Sequence, residues 1–216
     1  MNKIKDRSLY LVISEEYGMG RTAVQIAGAA ISGGVDILQM REKDKSRQEL
    51  SDLGLKLSAL CRKNGTIFIV NDDPALAREV RADGVHLGQE DIKKFPLKEL
   101  RKTIGNDKII GISTHSFEQF EEANSADVDY IAFGPIFRTK TKDYFVGTGD
   151  IKTIIEAAKK PVFFIGGIDL SNIDDVLKEG ARNIALIRGI LEADDITAKT
   201  RQFKERLERL KGDLNR

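Results

Sequence analysis

The segment Gln39-Met40-Arg41-Glu42-Lys43 places two cations and an amide directly after an apolar run. If that run is a β-strand, side chains two residues apart share a face, so Gln39, Arg41 and Lys43 point the same way. Such a group can bind an anion, because a guanidinium pairs with phosphate oxygens through two hydrogen bonds at once. A charged surface loop has the same composition and is the alternative interpretation.

Carboxylates follow the next two apolar runs, in Asn71-Asp72-Asp73 and in Glu90-Asp91. Carboxylates at the ends of adjacent strands can converge on one ion, and Mg2+ favours one or two of them together with water and substrate phosphate oxygens. Asp73 fits a helix N-cap instead, because Pro74 would then occupy the first helical position. Asp72 has no such role. Glu90-Asp91 could also simply begin a helix, since acidic residues suit that end.

Later strand ends carry further polar residues and glycines. Ser113 is placed to hydrogen-bond a ligand. In Thr139-Lys140-Thr141-Lys142, hydroxyls alternate with cations, a pattern that suits an anion. Gly166-Gly167 lets backbone N–H groups approach a phosphate closely, and Arg188 holds the matching position after the last run.

The two histidines have weaker signals. His86 lies in the middle of an apolar run, and nothing in the sequence pairs it with a nucleophile, so a hydrogen-bonded core histidine is favoured over a catalytic base. His115 could line the rim of a pocket or cap a helix, and both interpretations stay open.

Eight short apolar runs alternate with helical patterns, and their starts are spaced by about 25 residues, the length of one strand, one helix and two loops. An open doubly wound sheet would normally have a glycine-rich turn after the first strand, and residues 14–18 do not form one. We therefore predict an α/β fold, a single (β/α)8 TIM barrel over residues 1–216, with its site at the carboxyl ends of the strands. The predicted strands are residues 9–13, 35–40, 67–70, 84–87, 109–112, 130–133, 162–165 and 184–187.

The helical patterns have recognisable start signals. The predicted helices are residues 22–31, 48–61, 75–80, 97–104, 117–123, 151–158, 173–178 and 198–210. The predicted N-caps are Ser46, Asp73, Ser116, Asp150 and Ser171.

Composition excludes several classes of protein. The 216 residues carry 35 basic and 34 acidic side chains, a net charge of +1, so a nucleic-acid partner is not expected. No apolar stretch approaches the length of a membrane span, and no signal peptide is expected at the N-terminus. The lone Cys61 cannot form an internal disulfide, which favours a reducing compartment, the cytoplasm. Composition makes no prediction of the oligomeric state.

Taken together, these segments resemble the thiamine-phosphate synthase family. They match in order over roughly residues 8 to 190. The Gln-x-Arg-Glu-Lys and Gly-Val-His-Leu-Gly-Gln-x-Asp elements are specific, whereas Ile-Gly-Gly-Ile occurs in many phosphate-binding barrels. The matching segments are residues 39–43, 71–72, 83–91, 111–115, 134–142 and 165–168.

The resemblance implies that hydroxymethylpyrimidine diphosphate loses pyrophosphate and that the thiazole nitrogen of hydroxyethylthiazole phosphate takes its methylene carbon. Negative charge builds on the departing oxygens, where Mg2+ and nearby cations stabilise it. The electron-rich aminopyrimidine stabilises the carbon cation, so no protein nucleophile is needed.

The resemblance also implies a role for each matching residue. The diphosphate substrate would be held by Gln39, Met40, Arg41, Glu42, Lys43, Asn71, Ser113 and Lys142. The thiazole phosphate would be surrounded by Thr139, Lys140, Thr141, Gly167, Ile187 and Arg188. Asp72 and Asp91 would hold Mg2+, and the catalytic residues would be Arg41, Lys43, Ser113 and Lys142.

Two alternatives remain beside this assignment. One is the related thiazole tautomerase, a barrel isomerase that needs neither metal nor diphosphate and so has no use for Asp72 and Asp91. The other is a catalytically silent protein that binds a phosphorylated ligand. The chain departs from the family pattern at Asp73-Pro74-Ala75 and at Arg188, where a small residue is frequent. Arg188 either strengthens phosphate binding or faces solvent at the start of the last helix.

Overall fold

The computed structural model describes residues 4–139 and 144–213, and within them eight parallel strands close into a barrel in chain order. Each strand pairs with the next along the chain, and β8 pairs with β1. The prediction of a (β/α)8 TIM barrel is confirmed. The strands are β1 (Leu9–Ile13), β2 (Ile37–Met40), β3 (Ile67–Asn71), β4 (Gly84–Leu87), β5 (Ile109–Thr114), β6 (Tyr130–Phe133), β7 (Val162–Ile165) and β8 (Asn183–Leu186).

Helices join the strands around the outside of the barrel. In the described residues they are α1 (Ala23–Ser32), α2 (Arg47–Asn64), α3 (Pro74–Glu79), α4 (Gln89–Lys94), α5 (Leu97–Ile104), α6 (Phe117–Ser125), α7 (Ile151–Ala157), α8 (Ile173–Lys178), α9 (Arg188–Leu191) and α10 (Ile196–Asp213). A short 3-10 helix, Glu15–Tyr17, follows β1. None of these described helices is both long enough and apolar enough to cross a bilayer.

The predicted N-caps are confirmed at Ser46, Asp73 and Ser116, whose side chains each accept a backbone N–H from the first turn of α2, α3 and α6. The prediction at Ser171 is wrong, because α8 has Asn172 at its N-cap and Ser171 instead donates its N–H and hydroxyl to Asp169. Asp150 holds the N-cap position of α7, but its side chain makes no capping bond.

Strand boundaries differ from the predicted ones by one or two residues. Val35 was predicted to open β2, but its N–H donates to Ala30 and so closes the end of α1. The strands β3 and β5 run further than predicted, because Asn71 pairs with His86 and Thr114 pairs with Phe133. Polar side chains therefore continue the ladder at the mouth of the barrel, where the apolar pattern stops.

Apolar side chains form two layers, one on each face of the strands. The outer layer packs the strands against the helices. The inner layer fills the barrel itself, with Tyr10, Ile69, Tyr130 and Phe163 among its buried members. Because both faces of the sheet are buried, the strands read as continuous apolar runs rather than as an alternating pattern.

Polar side chains join strands at the bottom of the barrel, the end where each strand begins. Asp36, directly before β2, accepts the backbone N–H of Leu9 on β1 at 2.8 Å. Asn183 instead bonds across the seam between β8 and β1, where its Oδ1 accepts the N–H of Ser8 at 3.0 Å. Two further carboxylates accept a backbone N–H in the same way as Asp36. Asp83 accepts the N–H of Phe68 on β3 at 2.9 Å, and Asp129 accepts the N–H of Ile110 on β5 at 2.8 Å. We call these four side chains the bottom clamps.

Gly111 on β5 leaves the space that the Tyr130 ring of β6 occupies, since a Cβ at position 111 would overlap that ring. We expect Gly111→Ala to lower the free energy of unfolding by roughly 1–3 kcal/mol, because the added methyl must displace the ring. Urea denaturation measures the change.

Gly28→Ala is the matched control for this substitution. Gly28 lies inside α1, and no atom would approach within 4 Å of a Cβ there. Ala is favoured over Gly inside a helix by about 0.5–1 kcal/mol, so this variant should gain stability. A Gly111→Ala protein as stable as the wild type would contradict the packing described for Tyr130.

Candidate active site

A pocket of about 170 Å³ opens between the ends of β2 and β3. Its walls include Arg41, Lys43, Asn71 and Asp72. The barrel therefore brings together the cationic segment and the carboxylate segment that the sequence singled out, although some 30 residues separate them in the chain.

The two cations of this pocket have no counter-ion in the part of the chain that the structure describes. Arg41 is half-buried and Lys43 is exposed. Neither side chain forms an ion pair with any residue in the described ranges 4–139 and 144–213. Two positive charges that the fold leaves unpaired at a concave surface are suited to an anion.

Gln39 supplies an unpaired donor inside the barrel. Its side chain is only 3% exposed, and within the described part of the chain its Nε2 has no hydrogen-bond partner. An unsatisfied buried donor is costly and uncommon in folded proteins. A ligand acceptor at the barrel mouth would satisfy it.

Glu42, between the two cations, lines the pocket and also bonds to the loop after β1. Its carboxylate accepts the backbone N–H of Glu15 at 2.9 Å. Glu15 in turn accepts the N–H of Ala23 and pairs with Lys45 at 2.6 Å. Burial raises the pKa of Glu42. Burial alone would raise the pKa of Glu15 as well, but the bonds from Lys45 and Ala23 lower it overall. The loops after β1 and β2 are thus locked together.

Asp72 and Asp91 lie close to each other at the ends of β3 and β4. Burial, and then the charge of Asp91, raise the pKa of Asp72. Asp72 has a left-handed backbone, φ 59°, and its Oδ1 accepts the N–H of Gly88 at 3.3 Å. Asp91 is in the first turn of α4 and pairs with Lys94 at 2.9 Å. The expected convergence of the two carboxylates is therefore present.

This donor set fits Mg2+ better than a metal that needs many protein ligands. Among the described residues, no group of three or more His, Cys, Asp or Glu side chains could hold an ion. Mg2+ keeps several waters and commonly takes only one or two carboxylates plus substrate phosphates. The repulsion between Asp72 and Asp91 is the kind of electrostatic cost that a cation between them relieves.

A chain of hydrogen bonds runs from the mouth into the barrel. Ser113 Oγ lies 2.8 Å from His86 Nε2, and His86 Nδ1 lies 2.9 Å from the Tyr130 hydroxyl. That hydroxyl lies 2.8 Å from the hydroxyl of Tyr10. We call these four residues the polar chain. The interpretation of His86 as a hydrogen-bonded core residue is confirmed. His115 is half-buried, with its Nδ1 2.5 Å from the carbonyl of Gly134.

The loops after β6 and β7 approach each other so closely that Gly166 and Gly167 leave no room for a Cβ. Phe137 donates its N–H to the carbonyl of Gly166 at 2.9 Å. Thr139 is half-buried at the end of this contact. Three predicted site residues, Lys140, Thr141 and Lys142, lie outside the described residues.

Arg188 begins α9, directly after Ile187, and packs against the loop after β1. Its guanidinium carbon lies 4.2 Å from the centre of the Tyr17 ring, and its Nε lies 3.6 Å from Glu192. The side chain is 28% exposed, so it is neither free in solvent nor buried. The contact of Tyr17 with Arg188 could not be predicted from the sequence, because a single aromatic residue in a polar loop has no local pattern that indicates its partner.

His86 should make the stability of the fold depend on pH. Burial first, and then the charge of His115, lower its pKa from 6.5 to about 4. Below about pH 6.5 the unfolded chain therefore binds a proton that the folded chain refuses until about pH 4. The free energy of unfolding should fall by roughly 2 kcal/mol between pH 7 and pH 5. His86→Gln cannot titrate, and urea titrations of it should give a shallower pH dependence. Parallel curves for the two proteins would contradict this assignment.

The sequence matches the profile of a family described as thiamine monophosphate synthase over residues 9–190. A thiamine-phosphate synthase of Halalkalibacterium halodurans is 40% identical over 208 residues, which cover 95% of this chain and 97% of that protein. One from Persephonella marina is 38% identical over 205 residues, covering 94% and 97%.

A solved structure agrees with these sequence relationships. Thiamine phosphate pyrophosphorylase from Pyrococcus furiosus superposes with a TM-score of 0.83 at 32% identity, covering 96% of this chain and 98% of that one. Family profile, sequence relatives and structural neighbour all span nearly the same residues as the barrel and its mouth. The chain belongs to the thiamine monophosphate synthase family.

Proposed function

We propose that this protein joins hydroxymethylpyrimidine diphosphate to hydroxyethylthiazole phosphate, giving thiamine phosphate and pyrophosphate. The bond between the methylene carbon and the diphosphate oxygen breaks, and that oxygen keeps the electron pair. The thiazole nitrogen supplies the pair for the new carbon–nitrogen bond. The observation that carries the proposal is the buried Gln39 Nε2, which has no hydrogen-bond partner among the described residues. It precedes in the chain the cations Arg41 and Lys43, which line the pocket and form no ion pair with those residues.

Gln39 is suited to orient the pyrimidine. Its buried Nε2 needs an acceptor, and a pyrimidine ring nitrogen is one. Met40 beside it is 2% exposed and packs in the outer apolar layer, and it also lines the pocket between β2 and β3. A substrate held by a donor that is otherwise unsatisfied gains the full value of that hydrogen bond.

The diphosphate would lie over Arg41 and Lys43, with Asn71 and Ser113 as further donors. As the carbon–oxygen bond breaks, negative charge grows on the leaving group, and cations already in place stabilise it without reorganisation. Glu42 contributes indirectly, because its bond to the Glu15 N–H holds the backbone between the two cations. Lys142 is proposed for the same role from the resemblance alone.

Asp72 and Asp91 would hold Mg2+ beside this anion. When bound, the ion supplies positive charge to the departing diphosphate. Asn71 Nδ2 donates to Asp72 Oδ2 at 2.5 Å, which orients the carboxylate. The Gly88 N–H fixes the other oxygen of Asp72, so the protein presents this ligand in one orientation.

The thiazole phosphate would bind on the opposite side of the mouth, at Gly167, Ile187 and Arg188. Gly167 has a left-handed backbone, φ 66°, and donates no hydrogen bond from its N–H within the described residues. An N–H presented in this way suits a phosphate oxygen. The remaining residues assigned to this substrate are Thr139, Lys140 and Thr141.

The cytoplasm is the proposed place of action. The single Cys61 is a buried free thiol, and burial, followed by the charge of Asp83, raises its pKa to about 12. It therefore stays uncharged and unreactive near pH 7, as a structural cysteine in a reducing compartment would.

One assay tests the proposed reaction. The purified protein is mixed with both substrates and Mg2+, and the product is identified by its mass. Thiamine phosphate and pyrophosphate should appear in equal amounts, and omission of either substrate should abolish both. Turnover of a thiazole phosphate alone into an isomer would instead indicate a tautomerase. Binding of phosphorylated ligands without any product would indicate a silent binding protein.

Asp72→Asn and Asp91→Asn should each lower Mg2+-dependent turnover by about a hundredfold or more, since even residues that only support a metal ligand cost about 10–100-fold. Neither change should lower the melting temperature much, because both side chains are at the rim. Glu90→Gln is the control, since Glu90 neighbours Asp91 but is exposed and pairs with Lys93 at 3.1 Å. Wild-type rates for both Asn variants in the presence of a chelator would reject the metal assignment.

Arg188→Ala should raise the KM for hydroxyethylthiazole phosphate by roughly tenfold or more, a loss of about 1.4 kcal/mol. The KM for the diphosphate substrate should stay nearly unchanged. Arg182→Ala is the control, because Arg182 precedes β8 at the other end of the barrel and pairs with Asp6 at 3.2 Å. Equal KM values for the thiazole substrate in wild type and Arg188→Ala would limit Arg188 to its contacts with Tyr17 and Glu192.

A further inference from the structure

The polar chain of Ser113, His86, Tyr130 and Tyr10 has a direction. His86 is 8% exposed, and hydroxyl groups rather than carboxylates lie on both of its ring nitrogens. A buried imidazole without a counter-ion stays neutral, so one ring nitrogen carries a hydrogen and the other accepts. Each hydroxyl can donate only once. If His86 Nε2 carries the hydrogen, every bond in the chain runs toward Ser113. If Nδ1 carries it, His86 donates inward to the Tyr130 oxygen, and the two tyrosine hydroxyls have one proton more than the chain has acceptors for.

The inner end of the chain decides between these directions. If His86 donated inward, the hydroxyl proton of either Tyr10 or Tyr130 would need an acceptor outside the chain. Tyr10 is fully buried in the barrel, and in the described ranges its hydroxyl has no other partner. The inward direction would strand a buried donor, which costs free energy. The outward direction satisfies every member, since Tyr10 donates to Tyr130 and Tyr130 donates to His86 Nδ1.

The outward direction sets the proton on the other ring nitrogen. His86 Nε2 then carries the hydrogen and donates it to Ser113 Oγ, across the 2.8 Å that separates the two atoms. The Ser113 oxygen is thereby engaged as an acceptor, and its own proton is left to point away from His86. Ser113 is half-exposed at the end of β5, so that proton faces the mouth.

Packing holds the Tyr130 ring in the orientation that this requires. It stacks on His86 with ring centres 5.5 Å apart, and Phe163 meets it edge-on at 5.4 Å. The space left by Gly111 accommodates the ring on its remaining side. The hydroxyl is therefore fixed against His86 Nδ1 before any ligand binds.

We propose that His86 and Tyr130 are positioning residues that keep the Ser113 hydroxyl as a hydrogen-bond donor toward the diphosphate. This rests on the proposed function, since it assigns the anion that receives the bond. A serine that could donate to either His86 or the anion would have to reorient on binding. Because the Ser113 oxygen already accepts from His86, the Ser113 hydroxyl is oriented as a donor before the anion binds.

The first test is the tautomer of His86 in the protein without substrates. Nitrogen-15 NMR separates a ring nitrogen that carries hydrogen from one that does not, and the chain has only two histidines. His86→Gln identifies which signals belong to position 86. We expect hydrogen on Nε2 in the wild type and in Tyr10→Phe, where Tyr130 can still donate to His86. Tyr130→Phe should show hydrogen on Nδ1 or a mixture of the two tautomers.

The second test is the affinity for inorganic pyrophosphate with Mg2+, measured by titration calorimetry. Ser113→Ala should weaken binding by about tenfold, as expected for one hydrogen bond to a charged group. Tyr130→Phe should weaken it by roughly threefold or more, and Tyr10→Phe should leave it unchanged. The double variant Ser113→Ala/Tyr130→Phe should bind like Ser113→Ala alone, because Tyr130 acts through Ser113.

Several results would overturn the proposal. Hydrogen on His86 Nδ1 in the wild type would reverse the direction of the chain. Additive effects in the double variant would reduce Tyr130 to a structural role, and wild-type affinity in Tyr130→Phe would remove its role altogether. Absence of pyrophosphate binding in the wild type would reject the donor role of Ser113. Failure to form thiamine phosphate despite these expected results would reject only the proposed function.

Discussion

Closing eight strands into one barrel forces the side chains on the inner face into a single narrow column. The lower part of this column is aromatic, with Tyr10, Tyr130 and Phe163 in contact with one another. Polar groups such as His86 stand directly above it. Because no bulk water reaches the column, each polar group must find its partner in a neighbouring side chain or in a ligand.

The mouth above this column holds charges that the protein does not neutralise. Arg41 and Lys43 have no counter-ion among the described residues, and burial, followed by the charge of Asp91, raises the pKa of Asp72. Charges of opposite sign are thus present at one pocket but not paired with each other. In the proposed function, an anion and a cation that bind together would give each of these charges a partner. Asp72 also has a left-handed backbone, a conformation that costs free energy in a residue other than glycine.

The sequence was enough to predict the barrel and the strand ends that supply the site, because the repeating pattern of apolar runs and the local motifs are both short-range features. It could not predict contacts between loops that lie far apart in the chain. The bond from the Glu15 N–H to Glu42, which joins the loops after β1 and β2, has no signal in either segment. Ser171 lost its predicted capping role because Asp169, two residues earlier, accepts both of its donors. The chain of hydrogen bonds below Ser113 needed the register of three strands before it could be recognised.

The bottom clamps divide the barrel into pieces of two strands. Three of them, at Asp36, Asp83 and Asp129, keep donor and acceptor within one strand–helix–strand segment, so each segment satisfies its own strand start. Asn183 has a different role, because β8 must pair with β1 to close the barrel. An amide can accept and donate at once, and Asn183 accordingly accepts from Ser8 of the first segment while donating to Val162 of its own. The amide at position 183 thus lets one side chain bond to its own segment and across the seam where β8 meets β1.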